Sequence, residues 1–581
     1  MSVPAFRVDR YQRRCGTILL VLLGLILVVL GARVVHINIS LGERLLAIAE
    51  RQHQGKSVIP ARRGNVYDAR GRLAATSRQS PDVFVDPTRV EDLTNFANEL
   101  SSRLSVAPQE IIEKVRARPD SRYVVVAAQV DEVTAEAVRS IKHAAVGLTD
   151  RFIRNYPLGT SMAHVLGAVG RDHQGLEGIE LKYDGHLKGR DGRRLTVRDA
   201  RRRALWRDGN RPEPPSDGGH VVLTLDAEIQ RITENAVNSA VTRFEAESAV
   251  AIVLSPKNGD VLAMALSPSF DANQASEVTS ELRRNRAITD PTEPGSTFKP
   301  IIMAGALEGG FVNDTEQINC HNGEHQFGGR VLTDTKPHSF LDVRGIITYS
   351  SNIGMATLAE RMGNKALYET IHRFGFGRPT GVELPGEAEG LLYPLRKWNS
   401  YSTTSVCIGY EIGVTPLQLA NAFAAMVNDG VLLKPRVVKQ LLTADGEALE
   451  TFEEGVVVGR AAEAEVARFV SEDLMVSVVE HGGGSNARVG PYRVLGKTGT
   501  AKLPYRDRRG YEPGAYMSAF VGAAPVRDPE VVVLVMVRRP TSRLGYYGRE
   551  VAAPAAGKIM AEVLAYMGVP PDEPTDQLAG L

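Results

Sequence analysis

The sequence has few cysteines and almost no net charge. Among 581 residues there are three cysteines, and 69 lysines and arginines stand against 68 aspartates and glutamates, a formal charge of +1. A balance this near zero supplies no basic field for nucleic acid or another anionic polymer. Cys15 borders an apolar segment. A Cys320–Cys407 disulfide stays open in an oxidising compartment, because spacing alone does not establish one. Cys320, His321 and His325 put three metal-capable side chains within six residues. No second ligand cluster follows at zinc-site spacing, so a structured loop is the reading, with no metal and no cofactor expected. Internal repeats and low-complexity tracts are absent too, and long uncharged apolar runs occur in one place only.

That run is 15–32, CGTILLVLLGLILVVLGA, close to the roughly 20 residues a bilayer-spanning helix needs. Val34 and Val35 extend it if Arg33 snorkels to the headgroups. Arg7, Arg10, Arg13 and Arg14 precede it and hold the N-terminus in the cytoplasm by the positive-inside rule. A cleaved signal peptide is the competing reading, but the run is long for one and no clear Ala-x-Ala site follows. The expectation is a retained single-pass anchor over 15–35, a cytoplasmic 1–14, and everything from about residue 36 outside the cytoplasmic membrane.

With 24% charged and 43% hydrophobic residues, the remainder is an ordinary folded protein, long enough for two globular units. DGNRPEPPSDGG at 208–219 opposes regular structure and suits a connector, so the expected division falls at 215/216. Before it, glycine-punctuated strands mix with helical stretches such as Pro108–Arg118. After it the periodicity sharpens. His220–Leu225 is apolar and β-branched, and Glu228–Phe244 spaces Ile229, Ile232, Val237 and Val241 as a helix. Ala249–Leu254 and Val261–Leu266 read as a hairpin. Tyr492–Thr500, Met517–Ala523 and Val531–Val537 read as strands and Gly557–Met567 as a closing helix. The expected class is α+β: a largely antiparallel five-stranded sheet flanked by helices, with a mainly helical lobe over about 296–430. The catalytic groups would lie at their seam.

Three short motifs carry chemistry. In Pro294-Gly295-Ser296-Thr297-Phe298-Lys299, Pro-Gly breaks the chain before helical spacing. This puts Ser296 at a helix N-terminus, which favours a developing anion. Lys299 at i+3 shares its face and can take the hydroxyl proton once burial or a neighbouring cation lowers its pKa. Alone, a helix cap beside an ordinary surface lysine is the better reading of the motif. Ser350-Ser351-Asn352 sits in a break between helical stretches. Its hydroxyl can relay a proton, and the carboxamide can accept from and donate to a peptide; taken alone, a capping turn is the better reading. Lys497-Thr498-Gly499-Thr500 ends a strand-like run. Lysine and two hydroxyls there can hold a carboxylate, and Gly499 lets a substrate backbone lie against the edge as an added strand. Backbone N–H groups of Ser296 and Thr500 would form an oxyanion hole, and Lys497 would lower the Lys299 pKa.

Together and in this order, the three form the motif set of penicillin-binding proteins and serine β-lactamases. On them the chain resembles the class B penicillin-binding proteins, most closely the division-specific D,D-transpeptidases. Arg63-Gly64-Asn65-Val66-Tyr67-Asp68 with Gly71, Arg154-Asn155-Tyr156-Pro157-Leu158-Gly159 and Gly175-Leu176-Glu177-Gly178-Ile179-Glu180 resemble the family's three pedestal boxes. Asn285-Arg286-Ala287, Val414–Ala420 and Phe520-Val521-Gly522 are also typical. Ala69, Ser339 and Arg549 depart from the pattern, and none touches a proposed catalytic group. No glycosyltransferase domain precedes the pedestal.

The resemblance implies an elongated, non-catalytic, dimerisation-type pedestal over 36–215, a serine β-lactamase-like transpeptidase domain over 216–570, and a tail over 571–581. It implies a Ser296 acyl-enzyme that cross-links stem pentapeptides and is acylated by β-lactams. Catalysis falls to Ser296, Lys299, Ser350, Asn352 and Lys497, and substrate binding to Thr498, Gly499 and Thr500. The implied partners are a membrane lipid II polymerase and other division proteins at the bacterial inner membrane. An elongation-specific enzyme, a scaffold for cell-wall synthesis and a tethered β-lactamase or antibiotic sensor are the rival functions. No motif for a deacylating base favours the last.

Overall fold

The computed structural model describes residues 9–170, 172–198, 204–206, 213–488, 490–505 and 507–572. Contacts divide them into two compact units: residues up to 61 together with 190–216, and 62–189 together with 217 onward.

In the first unit a single helix runs Arg10–His53, well past the apolar run itself. Its Arg10–Ser40 portion is the one helix among the described residues long and apolar enough to cross a membrane. Gln54–Ile59 pairs antiparallel with Gly192–Arg198, which pairs with Ala204–Trp206. Of the expected connector, 208–212 lies outside the described residues. Glu213 and Ser216 are bridged to Arg193 and Arg190, so this part is paired backbone.

The second unit holds the sheet that carries the motifs. Ala227–Arg243 (α1) starts at Asp226, whose carboxylate accepts from the Glu228 and Ile229 amides. It leads into the antiparallel hairpin Ser248–Leu254 (β1) and Val261–Ser267 (β2). The helical lobe follows, with Lys299–Glu308 (α2), the hairpin Glu324–Phe327 (β3) and Arg330–Thr333 (β4), Val343–Tyr349 (α3) and Asn352–Arg373 (α4). The chain returns through Leu495–Pro504 (β5), Tyr511–Ala524 (β6) and Val531–Arg538 (β7), and closes with Ala553–Met567 (α5).

Sheet order is β2-β1-β7-β6-β5, antiparallel throughout. Its central strands are apolar on both faces because both are covered. Ala249, Ala251, Val253, Val533 and Val535 pack on Ile232, Val237 and Ile559 of α1 and α5. The alternate residues Val250, Ile252, Val532 and Leu534 join a core shared with Ile301 and Ile302 of α2. β5 begins at Leu495 and runs to Pro504, so the Lys-Thr-Gly-Thr segment occupies its first half rather than its end. The C-terminal segment is tied down further than its composition suggests. Gly568 caps α5 in the left-handed region, the Tyr492 hydroxyl donates to the Val569 carbonyl at 2.9 Å, and the Arg493 amide donates to Asp572 at 2.8 Å. Cys320 and Cys407 are free, buried thiols that donate to the Ile318 and Thr404 carbonyls, so the disulfide left open by the sequence is not formed. His321 and His325 stack ring on ring at 3.8 Å.

A second sheet joins strands from both sides of residue 216. Its order is Ala448–Thr451, Val438–Leu442, His220–Leu223, Val66–Tyr67, Leu73–Gln79 and Phe152–Asn155. Beside it the three pedestal boxes converge on one buried carboxylate. Glu180 accepts from the Arg63 and Arg154 Nε atoms, each at 2.6 Å, with both arginines nearly fully buried. Arg63 also reaches Asp184 at 2.7 Å, and Arg154 reaches the Gly64 carbonyl at 2.7 Å. Two guanidiniums out of water need their partner, since stranding a buried charge costs about 3–5 kcal/mol. Glu180→Ala is therefore expected to destabilise the protein by about that much, read as a large fall in the denaturation midpoint. Glu228→Ala, which cuts an exposed helix pair, should cost no more than about 0.5 kcal/mol.

Candidate active site

Ser296 sits in a 3-10 turn, Gly295–Phe298, that leads directly into α2. Gly295 opens the turn at φ +55°, where a side chain is strained, and donates its N–H to the Gly409 carbonyl at 3.1 Å. Thr297 is buried and its hydroxyl returns to the Pro294 carbonyl at 2.7 Å. Phe298 is buried edge-on against Phe376. The turn is thus fixed on three sides, and the Ser296 side chain is left half-exposed.

Lys299 is no surface lysine. It is completely buried, and burial lowers its pKa to about 8, against an opposing pull from Asp334. No hydrogen bond joins it to the Ser296 hydroxyl. Its ammonium spends its three donors on the Ser350 carbonyl at 2.6 Å, the Asn352 Oδ1 at 2.8 Å and the Ser350 hydroxyl at 3.2 Å. The expected meeting of Ser296 and Lys299 gives way to these stronger acceptors in the resting site.

Ser350 lies between α3 and α4 in the left-handed region at φ 59°, a conformation that costs a non-glycine residue about 1–3 kcal/mol. The twist aims its hydroxyl at two amines, because Lys497 Nζ stands 3.0 Å away on the other side. Lys497 is also buried, and burial followed by repulsion from Lys299 holds its pKa well below the usual lysine range. The coupling therefore falls on Lys497, whereas the sequence had placed it on Lys299. One hydroxyl can accept a proton bond from one amine and donate its own to the other. Charge can thus pass between the lysines through Ser350 without leaving the site.

β5 is the edge of its sheet and packs against the serine turn. Alternation sends Lys497 toward the turn and the half-exposed Thr498 and Thr500 to the other face. Gly499 has a reason in the protein itself: a Cβ there would stand 2.8 Å from the Thr297 methyl and 3.1 Å from the Pro294 carbonyl. The Thr500 hydroxyl accepts from the Gly548 amide at 3.0 Å and keeps its own proton for another acceptor. Asn352 is likewise half-spent, with Oδ1 on Lys299 and Nδ2 donating to the Thr333 carbonyl at 2.8 Å.

Asp334 is the residue the sequence reading missed. Its carboxylate accepts from the Ser351 hydroxyl at 2.5 Å, the Asn352 amide at 2.5 Å and the Ile353 amide at 3.1 Å. It thereby caps α4, fixes Ser351 and Asn352 and sets a negative charge near Lys299. Nothing in Thr-Asp-Thr marks it, since it meets the motif only in space. The nearby Cys407 thiol is pushed up to about 12, chiefly by burial, and is no rival nucleophile at neutral pH.

Comparison with known proteins gives the family of the chain. The family model described as the penicillin binding protein transpeptidase domain matches residues 249–561, and that of the penicillin-binding protein dimerisation domain matches residues 58–223. The chain is 34% identical over 519 residues to a probable peptidoglycan D,D-transpeptidase, PenA, of Neisseria meningitidis, covering 89% of this chain and 86% of that protein. It is 31% identical over 569 residues to the peptidoglycan D,D-transpeptidase FtsI of Escherichia coli, covering 97% and 92%. Stage V sporulation protein D of Bacillus subtilis is also 31% identical, covering 97% and 88%. Among solved structures, penicillin binding protein 3 of Mycobacterium tuberculosis in complex with aztreonam superimposes with a TM-score of 0.69 at 26% identity, covering 89% and 99%.

The Asp334 carboxylate raises the Lys299 pKa, so removing its charge must lower it. Asp334→Asn is expected to shift the acid limb of the pH–rate profile to lower pH, because Lys299 then loses its proton more readily. The plateau should drop severalfold through the weakened cap, by about 1 kcal/mol. An acid limb that stays in place would show that Asp334 acts on structure alone.

Proposed function

The chain belongs to the class B penicillin-binding proteins and is a peptidoglycan D,D-transpeptidase, and we propose that Ser296 carries the acyl group in septal cell-wall synthesis. The observation that carries the site assignment is the Ser350 hydroxyl held between two buried amines beside a half-exposed serine on a rigid turn.

Ser296 Oγ attacks the carbonyl of the penultimate D-Ala of a pentapeptide stem, and its proton goes to neutral Lys299. Lys299 reaches that state by passing its proton through Ser350 to Lys497. The Ser296 and Thr500 N–H groups hold the oxyanion, while Thr498 and Thr500 hold the terminal carboxylate. Gly499 lets the donor backbone lie against the edge of β5, and Asn352 orients the acyl group. The carbon–nitrogen bond then breaks, the departing D-Ala amine takes the proton returned through Ser350, and the acyl-enzyme remains. An amine of a neighbouring stem attacks it, loses its proton to the same lysine pair, and Ser296 leaves with a proton restored. A β-lactam enters as a donor mimic and acylates Ser296, and its adduct persists.

The helix Arg10–Ser40 serves as a single-pass inner-membrane anchor with its N-terminus in the cytoplasm. The remainder, from the pedestal to the tail, lies on the outer side beside a membrane lipid II polymerase and other division proteins. The expected boundaries, 36–215 for the pedestal and 216–570 for the transpeptidase domain, belong to this reading.

Fluorescent penicillin should label the full chain covalently and fail on Ser296→Ala; labelling of that variant would overturn the assignment. Lys299→Ala should slow acylation by about 10²–10⁴-fold, the usual worth of a general base. A fluorescent fusion should gather at midcell, and sidewall fluorescence would instead favour elongation.

A further inference from the structure

The hairpin of β3 and β4 forms a wall between two parts of the catalytic centre. At the far end of β4 the Thr333 carbonyl accepts from the Asn352 carboxamide at 2.8 Å. At the near end Arg330 Nη1 donates to the Ser405 hydroxyl at 2.7 Å. Ser405 lies in Ser402–Val406, just ahead of Gly409, which packs on the serine turn at Gly295. The hairpin tip is held there as well, since a Cβ on Gly329 would stand 2.5 Å from the Tyr401 hydroxyl. Four extended residues therefore put Arg330 about 10 Å along the wall from Asn352.

Arg330 differs from three arginines of the same lobe, and the exposed Arg378 and Arg396 also have no carboxylate partner among the described residues. Arg344 pairs with Asp473, Arg361 with Glu316 and Arg373 with Glu308. Arg330 is half-buried and, among the described residues, no carboxylate pairs with it. Two acids beside the serine turn hold other groups, although Glu293 Oε2 is buried without a hydrogen-bond partner. Glu411 accepts from the Ser402 hydroxyl at 2.8 Å, and Glu293 accepts from the Glu411 amide at 3.0 Å and the Tyr511 hydroxyl at 3.1 Å. A guanidinium anchored by a neutral hydroxyl keeps most of its planar fork of donors for a bidentate partner.

We propose that Arg330 is a second anion subsite, which binds a free carboxylate on the stem peptide two to three residues away from the bond at Ser296. This rests on the transpeptidase reading and adds a specificity to it: the enzyme distinguishes stems with a free side-chain carboxylate from stems with that carboxylate amidated. Such a group can belong to the donor or to the acceptor stem, and the experiment separates the two.

The test is equilibrium binding to the detergent-solubilised full chain carrying Ser296→Ala, so that no turnover is needed. The probes are a five-residue peptide ending in D-Ala-D-Ala whose third residue bears a free carboxylate, its primary amide, and the same pair shortened by the terminal D-Ala as acceptors. The free acid should bind about tenfold more tightly than the amide. Arg330→Ala should abolish that preference, Arg330→Lys should keep part of it, and the denaturation midpoint should stay put. Preference on the five-residue pair assigns the site to the donor, and preference on the shortened pair alone assigns it to the acceptor. Equal binding of acid and amide, or a preference that survives Arg330→Ala, would overturn the proposal. Failure of the Ser296-intact chain to join these peptides would count against transpeptidation and leave the binding preference readable.

Discussion

Two ammonium groups cannot share one buried hydroxyl while both are charged. That electrostatic constraint organises the active site of this protein. Lys299 and Lys497 are both excluded from water and both bonded to Ser350, so one proton too many would meet its own kind with no solvent to screen it. The fold resolves the conflict by letting one amine go neutral. Around this point the other features fall into place: the left-handed Ser350, the Asp334 cap that holds its loop, and the glycines that let β5 close on the serine turn. A Leu or Met at either lysine would pack adequately and leave nothing to move.

Much of the catalytic sheet was legible before the coordinates, because its strands are buried on both faces and read as unbroken apolar runs. Val531–Val537 is the plainest case. Periodicity likewise marked α1 and the helical lobe. The edge strand was misplaced, starting at Leu495 rather than Tyr492 and running past Thr500 to Pro504, because exposed Lys502 and Pro504 interrupt the hydrophobic signature of its second half. The site was legible as three motifs, but their connections were not. Spacing suggested that Lys299 would bond Ser296, whereas the amine prefers acceptors more than fifty positions downstream. Asp334 had no motif to announce it, being a residue whose meaning is entirely tertiary.

The pedestal boxes illustrate the same limit. In sequence, Arg63, Arg154 and Glu180 belong to three separate boxes, and nothing there shows that they meet. In space they form a dry ionic knot in which one carboxylate serves two guanidiniums. Charge at such positions is read as solvation until the partner is known, and the partner lies 117 residues from Arg63 and 26 from Arg154. The glycines around it allow backbones to approach that side chains would hold apart, as where Gly64 lies against Gly219.

The six-stranded sheet has a consequence for biogenesis. Val66–Tyr67 needs His220–Leu223 beside it, and that strand in turn needs Val438–Leu442. A chain made from its N-terminus at roughly 5–20 residues per second exposes the first of these edges for tens of seconds before the last arrives. Until then an unpaired β edge faces its surroundings, a state prone to mispairing with other chains. A chain truncated ahead of residue 438 would keep that edge open for good.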